Sequence, residues 1–362
     1  MSKIALFIIF LCAEILLVVS CHFERMDVRS AMPPPATLSS NKVIAATLPQ
    51  ATPPPAYLIT PMQVLQLDNY TEGVAVDRQD NIYFSQPKAG TITVLAPDGS
   101  QRLWTQLPGA NGHKLMPDGT HIVAAQKSVV QLDANGKLLK VVAKEFKGKP
   151  LVYPNDITID PQGGFYFTDS GDSNPQNPNG AVYYVAPTGK INRVATGLAY
   201  ANGLLLTPDR KHLFVDESNR NRVDIYDVRS QGLLGPQKVF ALLPVKQGEQ
   251  IDNKPDGMCL DAMGNLYVAH YGMRQVEVLN PDGQLIRRYA SGNLTTSNCA
   301  FGGPNLDHLF VTGSLEAGNS KGGLFRLDLG VPGLDIRAYC CHPSAKYFCH
   351  CPGLSDTTPW RQ

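Results

Sequence analysis

Four oxygen-bearing side chains recur at one place in a repeated local pattern: Glu72, Asn155, Asn202 and Asp256. Each precedes a Gly or an Asp and then an apolar stretch, as in Glu72-Gly73, Asn155-Asp156, Asn202-Gly203 and Asp256-Gly257. Two carboxylates and two carboxamides are hard donors with a total charge of −2, which suits one divalent cation. Ca²⁺ fits best, and Mg²⁺ or Mn²⁺ could also be held. No His or Cys belongs to the set, so a zinc-type site is less natural, although Zn²⁺ can substitute. The competing reading is bland, because Asn-Gly and Asp-Gly are also ordinary turn residues that tolerate positive φ.

The elements that would position these residues repeat six times. A short Asn/Asp-Gly-type motif leads into an apolar strand, a turn and a second apolar strand. Aligning strand centres at Ile82, Ile122, Phe165, Leu213, Leu266 and Leu309 gives spacings of 40, 43, 48, 53 and 43 residues. A period near that value, with several short strands per unit, is the signature of a β-propeller, here with six blades. Stretches such as Ala181-Val182-Tyr183-Tyr184-Val185 and Arg222-Val223-Asp224-Ile225-Tyr226 are rich in β-branched and aromatic residues. Asp98-Gly99, Asn135-Gly136, Thr188-Gly189 and Asp282-Gly283 supply turns. No long segment beyond the N-terminus carries a 3.6-residue apolar period. The expected fold is therefore all-β, and equivalent loops from the blades would converge on one end of the central channel.

The chain has 362 residues, 43% of them hydrophobic, with 32 Gly and 28 Pro, which is ample for a large core with many turns. A net charge of +1 leaves no electrostatic footprint for nucleic acid. Residues 1–21 read as an export signal: Lys3, an apolar run from Ile4 to Val19 interrupted by Glu14, and then Val18-Val19-Ser20-Cys21. That ending resembles a lipobox, which makes Cys21 a lipidated mature N-terminus; plain secretion and an uncleaved anchor are the alternatives. Residues 22–56, with Pro33-Pro34-Pro35 and Pro53-Pro54-Pro55, read as an extended stalk. The propeller is assigned to 57–336 and a Cys/His-rich tail to 337–362. The expected location is outside the cytoplasm, membrane-anchored and facing the periplasm or cell exterior, with no other membrane contact and the propeller a monomer.

The ordered set of motifs resembles the SMP-30/gluconolactonase/luciferin-regenerating-enzyme family, and within it the bacterial lactonases. The matching stretches are Pro154-Asn155-Asp156 through Phe167-Thr168-Asp169, Ala201-Asn202-Gly203-Leu204, Pro255-Asp256-Gly257-Met258 through Val268-Ala269-His270-Tyr271-Gly272, Phe301-Gly302-Gly303 and Gly323-Leu324-Phe325-Arg326. They span about residues 60 to 335. The resemblance implies a six-bladed propeller with an axial divalent cation and hydrolysis of a small lactone or related ester. It implies that Glu72, Asn155, Asn202 and Asp256 hold the metal and that Asp156 is the catalytic acid/base. Glu72-Gly73-Val74-Ala75-Val76 departs from the family's usual Glu-Gly-Pro. A Ca²⁺ ion acidifies water weakly, so a general base is needed, and Asp156 is the candidate. Asn111, in the same place of the second copy, is assigned with Asn155 to substrate binding.

Other motifs carry less. His113 and His270 fall near the same ends and read as structural groups. Gly318-Asn319-Ser320-Lys321-Gly322 fits a nucleophile elbow, but that elbow needs a parallel sheet and a helix, so a solvated turn is expected. Cys259 and Cys299 read as small core residues. Cys340, Cys341, Cys349 and Cys351, with His342 and His350, are open to three readings: disulfides, a soft-metal site, or an appendage without chemistry. Function divides between a metal-dependent lactonase, a non-catalytic propeller that binds metal and ligand, and an esterase or phosphoesterase on the same site.

Overall fold

The computed structural model describes residues 52–245 and 252–336. The export signal, the Pro-rich stretch before residue 52 and the Cys/His-rich tail lie outside the described residues.

Six four-stranded antiparallel sheets form a closed ring of blades. Blades 1 to 5 run through residues 72–106, 113–143, 154–198, 201–242 and 254–290. Blade 6 uses 295–328 and takes its outermost strand, Met62–Leu67, from the other end of the chain, with Met62 opposite Arg326 and Leu67 opposite Gly322. This pairing closes the ring and leaves no blade waiting for a partner. The innermost strands are Glu72–Val76, His113–Leu115, Pro154–Ile159, Ala201–Leu206, Lys254–Leu260 and Thr295–Gly302, and each packs against the innermost strand of both neighbours. Among the described residues helix is confined to two single turns, Ala56–Leu58 and Ser218–Arg220, and no helix is long and apolar enough to cross a membrane. A two-stranded hairpin, Glu145–Phe146 with Lys149–Pro150, sits between blades 2 and 3.

Burial explains the alternation in the sequence. Six apolar clusters fill the six interfaces between neighbouring blades. Examples are Tyr83, Ile92, Trp104 and Val123 between blades 1 and 2, and Val74, Phe84, Phe310 and Leu324 between blades 6 and 1. The turn joining the first two strands is built alike in blades 1 and 5. Asp77 Oδ1 accepts the Asn81 amide at 2.9 Å, and Asp261 Oδ1 accepts the Asn265 amide at 2.9 Å. The Tyr83 and Tyr267 hydroxyls donate to the second oxygens of the same two carboxylates. Each Asp thus satisfies a tight turn and pins an aromatic side chain beneath it. The four expected turns are present, with Gly99, Gly136, Gly189 and Gly283 all in the left-handed region. Upstream of the outermost strand, Pro53 is buried and the Pro54 carbonyl accepts the Tyr289 hydroxyl at 2.6 Å.

Candidate functional site

The candidate residues lie at the starts of innermost strands rather than on the loops expected for them. Glu72 opens its strand in blade 1, Asn155 and Asn202 stand second in blades 3 and 4, and Asp256 stands third in blade 5. At each of these places the pairing with the next strand slips, between Glu72 and Ala75, Pro154 and Ile157, Ala201 and Leu204, and Pro255 and Met258. A bulge swings a side chain out of the regular alternation, so four copies of one irregularity aim four polar groups off the pleat. Where a glycine follows the motif residue, it has a steric reason. A Cβ on Gly203 would stand 2.1 Å from the Asp256 carbonyl oxygen, and one on Gly112 would stand 2.5 Å from that of Asn155. The inner strands approach too closely there for any side chain. In blade 3 the equivalent position is Asp156, and in blade 6 it is Asn298.

All five principal candidates are buried, Glu72, Asn155, Asp156, Asn202 and Asp256 being 2–6% exposed. Glu72 Oε1 accepts the Tyr70 hydroxyl at 2.6 Å, and Oε2 accepts the Gly73 amide at 3.2 Å. Asn111 Nδ2 donates to Asn155 Oδ1 at 3.2 Å, which joins the two residues assigned to substrate. Asn155 Nδ2 donates to the Ser170 hydroxyl at 3.0 Å, and Asn202 Nδ2 donates to that of Ser218 at 3.1 Å. These donors fix each amide with its oxygen turned away from the hydroxyl. Asn202 Oδ1 is buried with no hydrogen-bond partner, and so is Asp156 Oδ2, while Asp156 Oδ1 accepts the Ile157 amide at 2.8 Å.

The electrostatics are those of crowded negative charge. Burial lifts the Glu72 carboxyl to about 7, against hydrogen bonds from Tyr70 and Gly73 that favour its anion. Burial and then the charge of Glu72 push Asp256 well above the usual carboxylate range, with Asp216 and Asp156 adding to the rise. Burial also raises Asp156, and the Lys114 ammonium opposes it. Carboxylates that repel one another, together with two orphaned oxygens, form a surrounding that a hard cation would neutralise. The residues present therefore fit a divalent ion. Among the described residues no three His, Cys, Asp or Glu side chains cluster tightly enough to hold a metal unaided, so such a site depends on the carboxamides.

The chain is similar to known proteins over most of this propeller. Residues 65–314 match the family described as SMP-30/gluconolactonase/LRE-like region. The chain belongs to this family. A gluconolactonase of Zymomonas mobilis is 30% identical over 275 residues, covering 67% of this chain and 76% of that protein. A lactonase drp35 of Staphylococcus saprophyticus is 33% identical over 251 residues, 66% of this chain and 74% of its own. Among solved structures, a calcium-binding regucalcin of Agrobacterium tumefaciens superposes with a TM-score of 0.64 at 21% identity, covering 74% of this chain and 92% of that one. At that identity the last comparison speaks for the fold.

Within this SMP-30/gluconolactonase-like propeller several residues near the site carry no sequence signal. Asp216, on the second strand of blade 4, is fully buried with both carboxylate oxygens unpartnered, and burial pushes it well above its usual range. Lys114 bears on Glu72 and Asp156 from blade 2. Tyr153 and Tyr200 stand two residues before Asn155 and Asn202 with ring centroids 6.3 Å apart, and both hydroxyls feel Glu72 and Asp256. Tyr200 holds a φ of 67°, rare for an aromatic residue, and its amide donates to Ser173 Oγ at 2.7 Å. A left-handed tyrosine beside a ligand-type asparagine is the sort of strain that collects at functional sites.

The two histidines are structural. His113 Nε2 and His121 Nδ1 share a hydrogen bond at 2.7 Å inside a box with Tyr83 and Trp104. His270 Nε2 bonds Asn221 Oδ1 at 2.8 Å, and its Nδ1 faces buried Glu277 at 3.4 Å. Ser320 of the Gly318–Gly322 motif donates to Glu316 Oε2 at 2.9 Å, and Asn319 has the positive φ of a turn, so no nucleophile elbow exists there.

Proposed function

We propose that this protein is a metal-dependent lactonase that opens a small lactone to its hydroxy acid. The observation that carries the reading is Asp156: a buried carboxylate with one free oxygen, adjacent in the chain to Asn155 and electrostatically linked to Glu72 and Asp256. A purely structural cation would have no use for a spare carboxylate. The relatives named gluconolactonase and lactonase support the substrate class.

Glu72, Asn155, Asn202 and Asp256 would hold one divalent ion, Ca²⁺ foremost by the hardness of the set. When bound, it supplies polarisation of the lactone carbonyl and stabilisation of the oxyanion that develops there. The protein's own groups supply the proton transfers. Asp156 Oδ2 takes the proton of the attacking water as the new C–O bond forms at the carbonyl carbon. It returns that proton to the ring oxygen as the acyl–oxygen bond breaks, which leaves a free hydroxyl and a carboxylic acid that then gives its own proton to solvent and becomes the carboxylate. Burial raises the Asp156 carboxyl, with the Lys114 ammonium opposing it, and a raised carboxyl is the kind that can return a proton after taking one. The Asn111 and Asn155 amides, already joined, would hold polar atoms of the lactone.

The test is the purified protein with a panel of sugar-derived, aliphatic and aromatic lactones, followed by a pH indicator with and without chelator. Hydrolysis that chelator abolishes and Ca²⁺ restores is expected. Stoichiometric metal with no lactone or ester hydrolysed would favour the non-catalytic propeller. From Val18-Val19-Ser20-Cys21 and the Pro-rich stretch that follows, we also propose that the mature protein is held on a membrane through lipidated Cys21. Cys21→Ser should then release it or block its maturation, and unchanged fractionation would remove the anchor.

A further inference from the structure

Two thiols that the proposed hydrolysis does not use face each other between blades 5 and 6. Cys259 is on the innermost strand of blade 5 and Cys299 on that of blade 6, with their sulfurs 3.5 Å apart. No ladder hydrogen bonds join these strands, since they belong to different sheets. Cys299 is 1% exposed and packs with Tyr267, Leu309 and Val311, its Sγ lying 3.7 Å from the Tyr267 carbonyl. Cys259 is only partly buried. It packs against the same apolar cluster between blades 5 and 6, and the Lys114 ammonium of blade 2, three blades round the ring, bears on its thiol.

Blade-to-blade packing alone does not require two sulfurs in contact, as the equivalent interfaces are filled by aliphatic and aromatic groups. A disulfide has its sulfurs about 2.05 Å apart, so bond formation asks for an approach of about 1.5 Å from the present contact. We propose that Cys259 and Cys299 are a reversible dithiol site that closes to a disulfide and clasps blade 5 to blade 6.

The oxidant is a small-molecule disulfide such as oxidised glutathione. The Cys259 thiolate attacks one of its sulfurs, forming a mixed disulfide and expelling one thiol. Cys299 then attacks Cys259 Sγ and expels the second. Two electrons pass from the cysteines to the reagent, and the two cysteine protons end on the released thiols. Burial and the neighbouring thiol push the Cys259 thiol up, so thiolate is scarce at neutral pH and closure is slow, faster as pH rises. Cys259 follows Asp256 by three residues, and Cys299 follows Asn298, whose side chain occupies the space beside Gly257. The clasp would therefore fix the spacing of the strand that carries Asp256. This inference stands whether or not the protein hydrolyses lactones.

The experiment incubates full-length native protein with oxidised glutathione at pH 8, then unfolds it, alkylates the remaining thiols without reduction, and maps the peptides by mass. A Cys259–Cys299 linked peptide that disappears on treatment with dithiothreitol is expected. A melting temperature several degrees higher in the oxidised form should accompany it, because the bond closes a loop of about 40 residues. Cys299→Ala should stop the reaction midway and leave a glutathione adduct on Cys259. Recovery of both cysteines alkylated, of a Cys259 adduct in the wild type, or of either cysteine linked elsewhere would overturn the proposal.

Discussion

Gly203→Ala tests whether close approach of the inner strands builds the site. Gly203 does not lie in the left-handed region, so alanine can adopt its backbone and the substitution probes space alone. The added Cβ would stand 2.1 Å from the Asp256 carbonyl oxygen and 3.0 Å from Asp216 Oδ2, whereas ordinary contact begins at 3.4 Å. The blade 4 and blade 5 strands must part by about 1.3 Å, the gap between the first and last of those distances. Neither neighbour is the flexible end of a long side chain, so the backbone itself has to move. Overpacking of this kind costs about 1–3 kcal/mol. In a domain of this size that lowers the melting temperature by roughly 2–10 °C. A displacement near 1 Å at a reacting centre costs about 10²-fold in rate. The variant should therefore stay folded by far-UV circular dichroism, melt earlier and lose lactone turnover out of proportion to its lost stability. Wild-type melting together with wild-type turnover would refute the argument that the glycine is there to let Asp256 approach.

Asp156→Asn keeps shape but removes the base, so turnover should fall about 10²–10⁴-fold with metal content unchanged; wild-type activity would take Asp156 out of the mechanism. Asn202→Ala deletes the buried unpartnered Oδ1 and should strip the divalent ion from a folded propeller, with elemental analysis deciding; stoichiometric metal in that variant would sink the ligand assignment. The imidazole pair should make stability depend on acid. Burial lowers His113 and brings His121 down to about 4, below the usual value of 6.5. The pair's contribution is thus complete above pH 6.5 and is lost as pH falls towards 4, with about 2 kcal/mol from His121 gone by pH 5. Urea midpoints of wild type and His121→Leu at pH 7 and pH 5 isolate it, and a wild-type advantage that did not shrink at pH 5 would contradict the burial.

The family and the blade count were legible because a propeller repeats its local chemistry. Each blade needs a tight first turn and alternation of apolar residues for the interfaces, four of the six carry a Gly where inner strands crowd, and these features leave marks at a period of 40 to 53 residues. Glu72, Asn155, Asn202 and Asp256 carry the same marks, and each stands where the pairing of its strand slips. Blade 6 escaped that reading: its Ser297-Asn298-Cys299 lacks an Asn/Asp-Gly pair, because Asn298 replaces the glycine and fills the space beside Gly257. What no local pattern could say is which residues from distant segments meet. Met62–Leu67 closes blade 6 across some 260 residues of chain, a pairing set by ring geometry rather than by the strand's own sequence. Asp216 sits on a second strand, Lys114 bears electrostatically on Cys259 from three blades away, and Cys259 meets Cys299 between sheets. Sequence determines what each strand buries and where it bends. Only closure of the ring decides which charges and thiols share the channel, because that depends on contacts between blades that no single repeat contains.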